Sequence, residues 1–284
     1  MKVISTIKEL QEEIGKLKLA PVGFVPTMGA LHDGHISLVS RAIPDCPLVV
    51  VSIFVNPTQF NDKNDLKNYP RTLESDLLLL GKVLRDNDIV FTPAVEEMYP
   101  SRDERVFHFG NLDNVMEALH RPGHFNGVAQ IVSKLFDAVR PDIAIFGQKD
   151  FQQLAVIKEL VRQTKNKVKI IGSPIIREKD GLAMSSRNSL LEPEIRKNAG
   201  VIFKTISKAS ELFEKTDITE IKKFVFQTIN EVKGFEVIYF EIVDDKELFP
   251  VASRKEMTAG RKYFGCIAVK AGNIRLIDNI EFRL

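Results

Sequence analysis

The chain predicts a doubly wound α/β domain followed by a smaller α+β domain. Three observations carry that expectation. Apolar, β-branched runs recur through the first two thirds, and they are hydrophobic along nearly their whole length, as strands buried on both faces require. Helical periodicities lie between them. After about residue 177 the order changes to lysine-rich helical stretches and then consecutive strand-like runs.

The elements follow in chain order. VGFVPT (22–27) and PLVVVSIFVN (47–56) are the strongest strand signals, and DIVFTP (88–93), DIAIFG (142–147) and VKIIGSPIIR (168–177) repeat the pattern. TLESDLLLLGKVLRDN (72–87) sets Leu73, Leu77, Leu80 and Leu84 on one helical face. DFQQLAVIKELVRQT (150–164) does the same with Leu154, Ile157, Leu160 and Val161. Beyond 177, helices are expected at 193–214 and 217–232, then strands at 235–244, 262–272 and 273–279. AGN (271–273) reads as the hairpin turn between the last two. One domain boundary is expected at 176/177, with no internal repeat and no low-complexity segment.

Composition narrows the function classes. Lys plus Arg number 40 against 38 Asp plus Glu, a net charge of +2, so nothing points to a nucleic-acid or membrane partner. The cysteines, Cys46 and Cys266, are far apart; there is no CxxC pair, and no disulfide is suggested. The first sixteen residues are charged throughout and lack the apolar core of a signal sequence, and no apolar stretch reaches the ~18 residues that span a bilayer. A cytoplasmic protein is the expectation.

Ligands of open α/β sheets collect at the carboxyl ends of the strands. The first strand run is followed by PTMGALHDGH (26–35), the second by Asn56 and Gln59, the fourth by Lys149, Asp150 and Gln153, and the fifth by Ser185, Ser186 and Arg187. His32 and His35 admit three readings: structural capping, a metal site, or phosphate binding at the start of a helix near Asp33 or Gly34. The third draws on the unpaired N–H groups and positive dipole end of a helix N-terminus, with Gly29 and Gly34 permitting close approach. HExxH is absent and no cysteine lies near enough to complete a metal set. Neither GxxxxGK[ST] nor a GxGxxG after a strand occurs.

HxGH after an early strand, with the later basic MSSRN (184–188) standing where a mobile KMSKS loop would, resembles the HIGH-type nucleotidyltransferases. A narrower set occurs in order: FVPTMGALHDGH, VSIFVNPTQF, YPRTLESD, RPGHFNGVA, FGQKDFQQLAVI, LAMSSRNSLL and, near the end, LIDNI. This series resembles the pantothenate synthetase (pantoate–β-alanine ligase) family along most of residues 22 to 191. The resemblance implies ATP-dependent joining of D-pantoate and β-alanine through an acyl adenylate, with Mg²⁺, releasing AMP and pyrophosphate. It also implies a Rossmann-like N-terminal domain, a C-terminal lid, and a homodimer.

Site residues carry over as follows. Met28, Gly29, Ala30, Leu31, His32, Asp33, Gly34 and His35 match ATP-binding positions, as do Gly147, Gln148, Lys149 and Asp150. Ile176, Met184, Ser185, Ser186 and Arg187 complete that set. Gln59 and Gln153 match pantoate positions, with Gln59 also a β-alanine contact, and the neutral Asn56 is counted in the same acceptor pocket. His35 matches the proton donor; His32, Lys149 and Arg187 are its expected catalytic companions. Asp150 reads as a helix cap or a Mg²⁺ contact, and the metal's protein ligands stay unassigned. Two departures stand out: Gln130 where a Thr is usual, which places the pocket wall near 129–132 in question, and Asp65 where Glu is common.

Rival classes are another HxGH adenylyltransferase, a class I tRNA synthetase and a non-catalytic nucleotide sensor. A phosphorylated acceptor would call for a second basic pocket, whereas Asn56, Gln59 and Gln153 are neutral. The short chain lacks a basic tRNA-binding region, and a sensor would not need both histidines with Lys149 and the Ser-Ser-Arg loop.

Overall fold

A computed structural model describes Met1–Arg283. Among these residues the strands form two sheets. The larger is six-stranded and wholly parallel, built from β1 (Lys2–Ile4), β2 (Val22–Thr27), β3 (Leu48–Ile53), β4 (Ile89–Phe91), β5 (Ile143–Gly147) and β6 (Lys169–Ser173) in the order β1-β4-β3-β2-β5-β6. The chain winds outward from β2 in one direction through β3 and β4, and in the other through β5 and β6. That reversal makes the sheet doubly wound, as expected.

Burial explains the composition of the strands. Phe24, Val25, Val49, Val50, Val51, Ile89 and Val90 are all fully buried, so neither face of the central strands meets water. β1 and the helix Ile7–Leu17 escaped the sequence reading. β1 has three residues, too few for a period, and takes the outer position beside β4. The helix is mostly polar; its Thr6 cap and the buried Leu10 hold it in place. A sixteen-residue helix, His124–Val139, also went unread behind the motif it carries.

The helix expected over 72–87 ends at Leu80. The fully buried Asp88 carboxylate accepts from the Arg85 N–H (2.8 Å), the Arg85 guanidinium and the Val49 N–H (2.8 Å), so the chain turns into β4 instead of running on. Leu84 still reaches the core, but Leu73 stays 44% exposed.

By Cα proximity the chain divides into two compact units. The first comprises residues 1–109, 121–148 and 156–174; the second comprises 110–120, 149–155 and 175–284. The second unit contains the antiparallel sheet β7 (Phe235–Asp244), β8 (Tyr263–Ala271) and β9 (Ile274–Phe282), with β8 in the middle. Ala271 pairs with Ile274, leaving Gly272 and Asn273 as the two-residue hairpin loop. Helices Val201–Leu212 and Ile218–Asn230 bury Ile202, Ile206, Ile221 and Val225 in one core with Phe240 and Ile267 of the sheet. Tyr239, one residue from Phe240, meets the early segments: its hydroxyl donates to Glu117 Oε1 (2.9 Å). Phe264 packs on Phe151 at 4.4 Å between ring centroids. Residues 110–120 and 149–155 therefore belong with this sheet although they lie far from it in sequence.

Candidate active site

In the first unit, the two loops richest in site candidates leave the sheet where its winding reverses. β2 and β5 are neighbours, but their pairing covers only Gly23 with Ile143 and Phe24 with Ala144. β2 continues to Thr27 and β5 to Gly147 without further pairing to each other, so the strands part at their carboxyl ends. Such a switch point is where a doubly wound sheet offers a ligand crevice. A Cβ placed on Gly147 would meet nothing within 4 Å, so this strand end faces open space.

The loop after β2 is tightly specified. Gly29 has φ +79° and Ala30 has φ +48°, two successive left-handed residues. Space at Gly29 is also tight, since a Cβ there would lie 3.0 Å from Asp76 Oδ2. The Thr27 hydroxyl donates to Ser52 O (2.7 Å) and accepts from the Gly29 N–H (3.2 Å). Asp76, buried in helix Leu73–Leu80, accepts from the N–H groups of Ala30 (2.9 Å) and Leu31 (2.8 Å).

Helix Asp33–Ala42 follows, and both histidines cap it. The Gly34 N–H donates to His32 Nδ1 (3.1 Å), and the His32 N–H donates to His35 Nδ1 (3.3 Å). Their rings lie 4.2 Å apart. With Nδ1 accepting, each imidazole when neutral carries its proton on Nε2. Capping, one of the three readings from sequence, thus occupies the Nδ1 atom of both rings. Among the described residues no group of three or more His, Cys, Asp or Glu is arranged to hold a metal ion.

The loop after β3 is built around Asn56, which is 1% exposed. Its Nδ2 donates to Gln59 Oε1 (3.1 Å) and Gly127 O (3.1 Å). Its Oδ1 accepts from the hydroxyls of Tyr99 (2.8 Å) and Thr58 (3.1 Å). All four hydrogen-bonding positions of this amide are engaged within the protein. Burial pushes the Tyr99 phenol above its ordinary value, which keeps it protonated as the donor to Asn56. Gln59, also buried, donates from Nε2 to Met28 Sδ (2.8 Å) and keeps one N–H and one lone pair of its amide for another partner. The loops carrying Met28 and Gln59 are thereby joined.

RPGHFNGV gains a role that sequence alone did not show. His124 Nδ1 is 2.8 Å from Gln59 O. A Cβ on Gly127 would lie 2.5 Å from Thr58 O, so only glycine lets helix His124–Val139 press against the Gln59 loop. Gln130 is turned away from that contact. Its Nε2 donates to the carbonyls of Asp103 (3.1 Å) and Arg105 (2.7 Å), tying residues 103–105 to the helix. Arg105 in turn holds the Asp103 carboxyl down at about 2 through a direct hydrogen bond.

Apart from Gln148, whose N–H donates to Ser173 O (2.8 Å) in the first unit, the remaining candidates belong to the second unit. The Lys149 ammonium is 3.8 Å from Asp150, and Asn279 Nδ2 donates to Lys149 O (3.1 Å), which gives LIDNI a structural purpose. Gln152 is buried on Glu117 N (2.9 Å), Leu112 O (2.8 Å) and Val115 O (2.9 Å), while its neighbour Gln153 is only half-buried. The Met184 N–H donates to Ile176 O (2.9 Å), so a short hairpin brings those two candidates together. Ser185 Oγ accepts from the Arg187 N–H (3.3 Å), starting the turn that follows. Arg177 beside the hairpin grips Asp278 with two guanidinium nitrogens (2.6 and 2.9 Å) and stacks 3.7 Å from the Phe203 ring. Burial still raises the Asp278 carboxyl above its ordinary value.

The Pantoate-beta-alanine ligase family model matches residues 2–281. The chain belongs to the pantoate–β-alanine ligase family. It is 52% identical to a pantothenate synthetase of Bacteroides thetaiotaomicron, over 100% of this chain and 99% of that one. The structure of a Thermus thermophilus pantothenate synthetase superposes with a TM-score of 0.92 at 41% identity, covering 100% of both chains. A Francisella tularensis pantoate–β-alanine ligase, solved with β,γ-ATP and β-alanine, matches with a TM-score of 0.78 at 33% identity, covering 99% of this chain and 97% of that one. As a pantoate–β-alanine ligase the chain catalyses pantothenate formation. The motifs that first suggested this family are the ones that build the loops just described.

Proposed function

We propose that the enzyme adenylates D-pantoate with ATP and then passes the pantoyl group to β-alanine. The observation that carries this reading is the pair of histidines after the β2 carboxyl end that cap the N-terminus of helix Asp33–Ala42 through their Nδ1 atoms. In the first step a pantoate carboxylate oxygen attacks the α-phosphorus of ATP. The bond to the bridging oxygen breaks and pyrophosphate leaves. Such a transfer depends on positioning and charge neutralisation rather than covalent help. His32, His35 and Lys149 would donate to the triphosphate, with His35 the proton donor, and Ser185, Ser186 and Arg187 would donate as well. In the second step the β-alanine amine attacks the acyl carbon, the carbon–oxygen bond to AMP breaks, and the amine loses a proton.

Gln59 would take pantoate's hydroxyl and carboxylate groups with its remaining N–H and lone pair, with Gln153 as a second neutral donor. Asn56 acts through Gln59, since its own amide is fully engaged. Mg²⁺, when bound with ATP, would neutralise phosphate charge. It takes phosphate oxygens and water and asks only one or two carboxylates of the protein. Asp150, 45% exposed at its side chain, fits that role.

The same resemblance supports a homodimer. Among the described residues no helix is long and apolar enough to cross a membrane, and Cys46 and Cys266 are free and buried. Those thiols accord with the cytoplasmic location we propose. The test is ATP consumption with only D-pantoate and β-alanine added. AMP, pyrophosphate and pantothenate should appear in equal amounts. ADP in place of AMP, or turnover without pantoate, would overturn the reading.

A further inference from the structure

YPRTLESD was matched above without a role, and the structure supplies one. Asp76 is 2% exposed, and among the described residues it forms no salt bridge. Its carboxylate faces backbone instead. Oδ2 accepts from the Ala30 N–H (2.9 Å), and Oδ1 accepts from the Leu31 N–H (2.8 Å) and the Thr72 hydroxyl (3.1 Å). Two successive N–H groups converging on one anion is the arrangement left-handed backbone produces, and Ala30 is left-handed at φ +48°. A non-glycine residue holds that conformation only where its surroundings enforce it. The residues that follow at once are His32 and the start of helix Asp33–Ala42.

We infer that Asp76 is a positioning residue for adenylation: its carboxylate clamps the Ala30–Leu31 backbone and so sets where His32 and His35 present their Nε2–H groups. Asp76 touches neither substrate nor reacting atoms in this role. The chemistry of the clamp is specific. A carboxylate offers an acceptor oxygen to each N–H, whereas an amide of the same shape offers one oxygen and turns its own N–H₂ against the other donor. Helix Leu73–Leu80 thereby serves a loop that lies more than forty positions earlier in sequence. The inference rests on the proposed roles of His32 and His35 in the first step.

The test separates the two half-reactions in the full-length enzyme. Adenylation is read as pantoate-dependent exchange of radiolabelled pyrophosphate into ATP. Amide formation is read by supplying synthetic pantoyl adenylate with β-alanine. Asp76→Asn should slow exchange by about 10²-fold, the scale of a small misplacement of catalytic groups, while the KM for ATP moves less than about threefold. Amide formation from supplied adenylate should stay within about twofold of the unsubstituted enzyme, because no nucleotide triphosphate is handled in that step. Exchange in Asp76→Asn within about threefold of the unsubstituted enzyme, or equal loss of both half-reactions, overturns the role of Asp76. Should Asp76→Asn not fold, Thr72→Val decides, since it removes only the hydroxyl that steadies Oδ1. Exchange slowed about fivefold or more supports the clamp, and anything less overturns it. Absence of exchange in the unsubstituted enzyme overturns the proposed first step itself, a result distinct from any of these.

Discussion

The loops of the first unit and the Met184–Arg187 loop of the second carry matching kinds of donor, but they are held in different ways. In the first unit the supports are buried polar side chains reaching across sequence: Asn56, Gln59 and Asp76 are all under 9% exposed, and each bonds a different segment. In the second, Met184, Ser185, Ser186 and Arg187 are all partly exposed. Bonds that hold it include those of Met184 to Ile176, of Asn188 Nδ2 to Ala183 O (3.1 Å), and of Ser185 within the turn. Buried, cross-linked polar groups fix geometry in advance and are costly to disturb. A partly exposed loop opens at lower cost than a buried one. On the proposed reading, the first unit supplies fixed aim and the loop of the second a change on binding.

The largest expected effect tests the fixed side. His35→Ala removes the proposed proton donor and a cap on the His32 N–H together. Pyrophosphate exchange should fall by about 10²–10³-fold, the scale of losing one preorganised donor. Thermal stability should drop by no more than the ~1 kcal/mol typical of a lost cap. Near-normal exchange would mean that the histidines only cap the helix.

Arg187→Ala tests the adjustable side. Loss of a charge-assisted donor should slow adenylation by about tenfold or more, with a smaller change in ATP binding measured by calorimetry. Because a loop that closes also excludes water, the substituted enzyme should release more AMP than pantothenate as adenylate is hydrolysed. A ratio that stays at one, with a lowered melting temperature, would instead assign Arg187 a purely structural part and dissolve the contrast.

The smallest effect sharpens the division of labour within the first unit. Gln59→Ala should weaken pantoate binding by about tenfold, the value of one or two neutral hydrogen bonds, while ATP binding stays almost constant. Separate titrations with each ligand measure this. Equal losses for both would show that the Met28 contact of Gln59 shapes the nucleotide loop more than the acceptor pocket.

How legible the site was depends on how its parts are made. The strand ends and HxGH could be read because a buried strand followed by glycine and histidine is a local pattern. Asn56, expected in the acceptor pocket from its type and position, has its amide engaged within the protein, one bond going to Gln59. Gln130, the departure that places the pocket wall near 129–132 in question, ties down residues 103–105. An amide's partners cannot be read from its identity, because it accepts and donates equally well in any direction.

By itself the sequence determined the two kinds of sheet, the helices between most of the strands, and the family, since periodicity and ordered motifs are written in neighbouring residues. Only the tertiary structure decided that β2 and β5 part after two paired residues, that Asp76 clamps a loop more than forty positions away, and that residues 110–120 and 149–155 join the C-terminal sheet. Each of these is a pairing between distant segments. A sheet with two apolar faces must cover both, and a buried carboxylate must find donors, but which segment answers is settled by packing in three dimensions and not by any local property of the chain.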